Sequence, residues 1–237
     1  MLNLLRFFQP ENKCAILMYH HVGPVTDENE RKYFVSSEIF QQQLKFLKEN
    51  KFYALKLEEL EDAFLYGKKL PENSVLITLD DGWLDNYQYA YSIAKENNIP
   101  ITIFLSTALI GKDNELLTWD HVREMHGSGI VSFSSHGAHH KRLRDLSDED
   151  VFSELADSKQ ALEAFFAKPV VSFCYPFGAF DKRVRRLVLN AGYQLDFGTR
   201  KGINSWPWKG SRPLLRAHVY NGESLTDYAN ELTKGRK

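Results

Sequence analysis

The chain has only two cysteines in 237 residues, Cys14 and Cys174, too few for a disulfide framework in a protein of this size. A reducing compartment fits that usage, and the cytoplasm is the expected location. Charge of one sign is also missing: 30 Lys+Arg stand against 31 Asp+Glu, a formal net charge of −1. With no basic block, and only a short Lys-Gly-Arg-Lys at the end, the chain offers no electrostatic footprint for nucleic acid. Long apolar runs are missing too. Residues 1–8 are apolar but broken by Asn3 and Arg6, too short for a secretory core and far too short for a membrane span, so neither a signal peptide nor an integral membrane segment is expected. No repeat, low-complexity tract or Pro/Ser-rich linker divides the sequence, and residues 1–237 read as a single domain.

What is present is an alternation of short β-rich apolar runs with segments whose apolar residues recur at helical spacing. Strands are expected at residues 15–19, 52–55, 75–79, 101–105, 130–134, 170–175 and 194–198. Between them, Phe40, Leu44 and Leu47 form one apolar stripe, and Tyr87, Ala90, Tyr91 and Ala94 another. Ser147 with Asp150 opens a long helix through Val151, Leu155 and Leu162. Asp181 caps a helix carrying Val184, Leu187 and Val188 that Gly192 ends, and Ser224 with Asp227 opens a last helix. This order predicts an α/β fold with a parallel sheet, and chain length favours a closed barrel over an open doubly wound sheet.

In such folds reactive groups gather where strands end. The run at 75–79 leads straight into Asp80-Asp81-Gly82-Trp83. Asp-Gly by itself is a turn signal, but two adjacent carboxylates repel, and a cation beside them removes that cost. After the fifth strand come His136, His139 and His140, three of the eight histidines within five residues. His136 and His140 stand at i and i+4, which on a helical turn points both rings to one side. A carboxylate with two imidazoles suits zinc or another divalent transition metal. The sixth strand ends in Tyr175-Pro176-Phe177-Gly178, a turn with backbone N–H groups to offer. Leu214-Leu215-Arg216-Ala217-His218 closes a later apolar run with a histidine. His20-His21 after the first strand reads either as pocket lining or as a strand end. Trp83, Trp119, Trp206 and Trp208 read either as core or as platforms for stacking a sugar. The loops at residues 24–32 and 203–211 are expected to shape the pocket.

In this order, Leu79-Asp80-Asp81-Gly82, His136 to His140, Tyr175-Pro176-Phe177-Gly178 and His218 resemble the motifs of the NodB-like polysaccharide deacetylases, carbohydrate esterase family four. Leu17-Met18-Tyr19-His20-His21-Val22 and the stretch from Asp81 to Tyr87 resemble the branch acting on poly-N-acetylglucosamine. The resemblance implies a distorted (β/α) barrel of about seven strands and a metal-dependent hydrolase that removes N-acetyl groups from a saccharide. It further implies that Asp81, His136 and His140 hold the metal, that Asp80 is the general base and that His218 is the candidate acid. Substrate contacts would come from Tyr175, Pro176, Phe177 and Gly178, with Trp206 as a groove wall.

The sequence departs from the family pattern in three ways. Cys174 stands where the family has an arginine, leaving Arg200 and Arg216 as candidates to orient Asp80. His139 precedes the second ligand histidine and is placed to compete for the ion. The aspartate-tryptophan motif before the last histidine is missing, with Trp206 as the candidate stand-in for its tryptophan. Two other readings share these residues: a glycan-binding barrel without catalysis, motivated by the missing arginine, and a non-haem iron oxygenase, motivated by the two-histidine-one-carboxylate set.

Overall fold

The computed structural model describes residues 13–234. The apolar start at residues 1–8 and the last three residues, on which sequence expectations were placed, lie outside the described residues.

All seven expected strands form, and all join one sheet. They are β1 (Lys13–Tyr19), β4 (Tyr53–Ala54), β5 (Ser74–Leu79), β6 (Ile101–Leu105), β7 (Val131–Ser135), β8 (Ser172–Cys174) and β9 (Leu195–Phe197). Four two-residue strands escaped the sequence reading, being too short to show a period: β2 (His21–Val22), β3 (Phe34–Val35), β10 (Asn204–Ser205) and β11 (Ala217–His218). The sheet runs β10-β1-β5-β6-β7-β8-β9, with β11 added on β1 and β4 on β5. Only β10 is antiparallel to its neighbour in this sheet. The sheet curls into a half-barrel, and a bridge from Phe197 to Leu214 carries the curl onward past β9.

Helices α1 (Ser37–Glu49), α2 (Leu57–Tyr66), α3 (Ser92–Asn97), α4 (Trp119–Gly127), α5 (Asp148–Phe166), α6 (Lys182–Asn190) and α7 (Leu225–Lys234) alternate with the strands. The capping residues act as their chemistry dictates: Ser147 Oγ accepts from the Asp150 N–H at 3.1 Å, and Asp181 Oδ1 from the Val184 N–H at 2.8 Å. One stripe differs from expectation. Residues Asn86–Tyr91 form a π-helical turn ahead of α3, with Asn86 buried and its amide donating to the His20 carbonyl at 2.9 Å. Ala90, Tyr91 and Ala94 are still buried as the stripe required.

The period of two along β5 sorts the interior. Val75, Ile77 and Leu79 face the main core under the helices, whereas Leu76 belongs to a second apolar cluster with Ile16, Phe104, Phe197 and, from α2, Leu57 and Leu60. Leu76, Thr78 and Asp80 follow one another on that second face, so the strand itself delivers a carboxylate to the top of the sheet.

Candidate active site

At the end of β5 the Asp80 N–H still donates to the Tyr19 carbonyl at 3.0 Å, and then the chain turns sharply. Asp81 has φ 77° and Gly82 φ 84°, both in the left-handed region. A Cβ on Gly82 would stand 2.9 Å from Leu105 Cδ2, so the glycine is required by space as well as by torsion. Asp-Gly is therefore a turn, as its bland reading held, and the turn is what splits the two carboxylates between different partners.

Asp81 faces the histidines. Its Oδ1 lies 3.3 Å from His136 Nε2 and 3.0 Å from His140 Nε2. The three ligand atoms lie within 4.8 Å of one another. His136 is buried, and its Nδ1 donates to the Cys174 carbonyl at 2.8 Å, which leaves Nε2 with its lone pair toward Asp81. The two rings meet by a route other than the expected helical turn: His136 ends β7, Gly137 and His140 have positive φ, and an irregular loop brings the second ring back. Asp81 Oδ2 accepts from Trp83 Nε1 at 3.1 Å, whereas Oδ1 is buried and, among the described residues, meets no polar group but the two imidazoles. Burial alone would raise the Asp81 carboxyl, but the two imidazoles hold it well below the ordinary carboxylate range. An ionised oxygen facing two ring nitrogens, one of them fixed by its Nδ1 hydrogen bond with its lone pair toward the carboxylate, is a donor set that fits a divalent transition metal. His139 does not compete, since its Nδ1 lies 2.9 Å from Glu154 Oε1 and its side chain is half exposed.

Asp80 faces the other way. Arg216 Nη1 donates to Asp80 Oδ1 and Nη2 to Oδ2, each at 2.7 Å. The guanidinium also donates to the Gly198 carbonyl at 2.8 Å and to Thr78 Oγ1 at 3.1 Å, and its Nη2 lies 3.0 Å from Cys174 Sγ. Burial would raise Asp80, yet the Arg216 charge and hydrogen bonds bring it below its ordinary value. Of the two arginines the sequence left open, Arg216 therefore meets Asp80, while Arg200 is exposed. Asp80, His136 and Cys174 also cluster, but Arg216 already neutralises Asp80 there and His136 uses Nδ1 on a carbonyl, so that group does not fit a cation.

A cavity of about 550 Å³ opens above these groups, lined by Asp80, Asp81, His136, His140, Phe177 and His218 among others. The 24–32 loop contributes Thr26, Asp27 and Glu30 to its wall, as expected. The 203–211 loop does not reach it. β10 pairs antiparallel with the first residues of β1, at the opposite end of the sheet, and Trp206 is 8% exposed within the second apolar cluster. Trp206 as a sugar platform is thus corrected: its indole plugs the barrel. The proline turn is corrected in part. Tyr175 is fully buried and its hydroxyl donates to Asp196 at 2.9 Å; Pro176 is buried; Gly178 is pressed against Thr199. Only Phe177, at φ 58° and 54% exposed, lines the cavity, its ring centroid 4.5 Å from that of His140.

Two imidazoles stand opposite. His218 stacks on Tyr220 at 5.1 Å, and burial, then the Arg216 charge, push it down to about 4. Burial lowers His20 as well, and the Asp81 and Asp80 carboxylates offset that only in part. His20 lines the cavity, resolving the choice the sequence left open at His20-His21. Trp83, which the sequence leaves open between core and platform, lines the cavity and donates its ring N–H to Asp81, two residues earlier.

Comparison with known proteins agrees with this geometry. The sequence profile of the family described as Polysaccharide deacetylase matches residues 67–195. YxkH of Bacillus subtilis (strain 168), which carries the polysaccharide deacetylase name, is 32% identical over 212 residues, covering 90% of this chain and 73% of its own. The poly-β-1,6-N-acetyl-D-glucosamine N-deacetylase of Staphylococcus aureus (strain MSSA476) is 30% identical over 213 residues, covering 79% of this chain and 72% of its own. Among solved structures, the Streptococcus pyogenes deacetylase PplD in complex with acetate superposes with a TM-score of 0.82 at 28% identity, covering 90% of this chain and 94% of that one. The profile covers more than half of the chain and both relatives are at least 30% identical, so the chain belongs to the polysaccharide deacetylase family.

Proposed function

We propose that the protein is a metal-dependent hydrolase that removes the acetyl group from an N-acetylhexosamine unit of a bacterial surface polysaccharide or its precursor. The observation that carries this is the division of labour between neighbouring carboxylates: Asp81 faces two imidazoles, while Asp80, one residue away, is clamped by Arg216 and left off that cluster. The Staphylococcus aureus relative, by its name an N-acetylglucosamine polymer deacetylase, supports the substrate class.

Asp81, His136 and His140 would hold the ion, zinc or another divalent transition metal. Such an ion supplies Lewis acidity toward water and the acyl oxygen at neutral pH. Asp80, kept ionised and fixed in orientation by the fork of Arg216, accepts a proton from the attacking water. Water oxygen bonds to the acetamide carbon, a backbone N–H near Phe177 faces the oxygen that gains charge, and the C–N bond breaks to give acetate and an amine. The amine takes its proton from the imidazole side of the cavity. His218 is the first candidate donor, although burial and the Arg216 charge push it down to about 4. His20 lines the same cavity and is a second candidate donor: burial lowers it as well, but the Asp81 and Asp80 carboxylates favour its charged form and oppose that.

The glycan-binding alternative rested on the missing arginine, and Arg216 supplies that guanidinium. The oxygenase reading drew on a ligand set typical of other scaffolds and gains nothing from a parallel α/β sheet. Among the described residues no helix is long and apolar enough to cross a membrane. Both thiols are free and buried, which supports a reading in which the protein works in the cytoplasm on a precursor.

The test is acetate release from N-acetylglucosamine oligosaccharides by zinc-loaded protein. Wild type should release acetate and Asp80→Asn should not, while retaining zinc. Equal activity in the two proteins would remove Asp80 from the reaction, and release by neither would end the proposal.

A further inference from the structure

One built feature of the cavity wall is unused by these steps. His21, in β2, is held on three sides. Its ring lies 4.0 Å from Phe34 at an interplanar angle of 10°, and 4.4 Å from Trp83 on another side. Its Nδ1 is 2.7 Å from Asp85 Oδ2. Asp85 is itself oriented, its Oδ1 accepting from Asn86 Nδ2 at 2.8 Å. The side chain of His21 is 11% exposed, yet the residue lines the cavity.

The chemistry of this arrangement is directional. A carboxylate oxygen accepts, so Asp85 sets a ring proton on Nδ1, and in the neutral tautomer fixed in this way the lone pair lies on Nε2. Among the described residues the hydrogen bond of this ring is the one at Nδ1. An imidazole stacked between two aromatic side chains and oriented by a carboxylate has few rotamers left to lose, so presenting one acceptor there costs little entropy on binding. The natural partner for a fixed neutral acceptor in a saccharide site is a hydroxyl donor.

We propose that His21 is a specificity-determining residue whose Nε2 accepts a hydrogen bond from a sugar hydroxyl of the saccharide that carries the reacting acetamide. Asp85 is its positioning residue. This inference rests on the deacetylase reading above. It competes with a purely structural role, in which His21 only supports Trp83 and through it Asp81.

The test compares wild type, His21→Phe and Asp85→Asn, all zinc-loaded. Phenylalanine keeps the ring between Phe34 and Trp83 and removes both nitrogens. KM for an N-acetylglucosamine tetrasaccharide should rise about tenfold in His21→Phe, the worth of one well-placed hydrogen bond, and by less in Asp85→Asn. In both variants kcat should stay within about twofold and zinc affinity should match wild type. A fall in kcat at unchanged KM, a loss of zinc affinity, or no change in any of the three would overturn the proposal. Acetate release by wild type in the same assay separates failure of this inference from failure of the deacetylase reading.

Discussion

Arg216 and Asp80 are 136 residues apart in sequence and meet through two parallel hydrogen bonds of 2.7 Å. Both are buried. The pair joins the residue before β11, added on one edge of β1, to the end of β5 on the other side of β1, so Asp80, the proposed general base, is aimed by a distant segment of chain. Removing one partner of a buried pair leaves an uncompensated charge. Arg216→Ala is therefore expected to lower stability by about 3–5 kcal/mol. Arg216→Lys keeps the charge but loses the fork, so it should fold while losing most of kcat. Urea unfolding and acetate release on the two variants check this. A lysine variant with wild-type kcat would show that the fork is not needed.

The cluster around Asp81 makes a prediction that needs no substrate. A ligand that binds only the folded state stabilises it by mass action, about 2.7 kcal/mol at a hundred times its dissociation constant. Zinc should therefore raise the unfolding midpoint of wild type, and a chelator should reverse it. In Asp81→Asn and His140→Asn the zinc effect should vanish. His139→Ala should keep it, because His139 is tied to Glu154 on the outer side of the loop. Loss of the zinc response in His139→Ala alone would mean that the ligand histidine had been misassigned.

How far the site was legible follows from where each residue sits. Asp80, Asp81, His136 and His140 are local signals: each lies within a residue or a short loop of a strand end, and strand ends can be read from apolar runs. All four also fall within the segment that the family profile matches, residues 67–195. Arg216 was one of two candidates, because its choice over Arg200 depends on β11 lying beside β1, a pairing of two residues with no period to detect. Trp206 was misplaced for a related reason. A tryptophan beside glycine and proline reads as a surface loop, and only the antiparallel pairing of β10 with the far end of β1 sends it into the barrel floor. In the proline turn, composition marked four residues, but the torsions at that turn leave only Phe177 facing outward.

The two imidazoles across the cavity are expected to separate in a mutant pair. His20→Asn should cost about a hundredfold or more in kcat, the range for losing a positioned proton donor. His218→Asn should cost less, since burial and the Arg216 charge push that ring down to about 4 and so disfavour its charged form at neutral pH. Both variants should bind zinc as wild type does, measured by chelator competition. If His218→Asn proves the more damaging, the donor role returns to His218.

The last prediction concerns stability at the opposite end of the barrel. In α2, Glu58 and Glu61 point at the starts of β7 and β8: Ser132 Oγ and Ser172 Oγ donate to them, each at 2.6 Å. Lys168 pairs with Glu58 at 2.7 Å. Burial pushes Glu61 up to about 7, Ser172 pulls it down, and the neighbouring Glu58 charge adds to the rise. Because its folded value lies above the ordinary 4.5, Glu61 favours the fold while protonated. That contribution is complete below pH 4.5, declines as pH rises through about 7, and is lost above it. Fully realised, such a shift would be worth about 3 kcal/mol, and the solvent contact Glu61 retains reduces it to about 1–2 kcal/mol. Glu61→Gln keeps an acceptor for Ser172 without the charge. It should be more stable than wild type by that amount at pH 8 and equal to it at about pH 4 in urea titrations. The same difference at both pH values would show that packing, and not ionisation, governs the site.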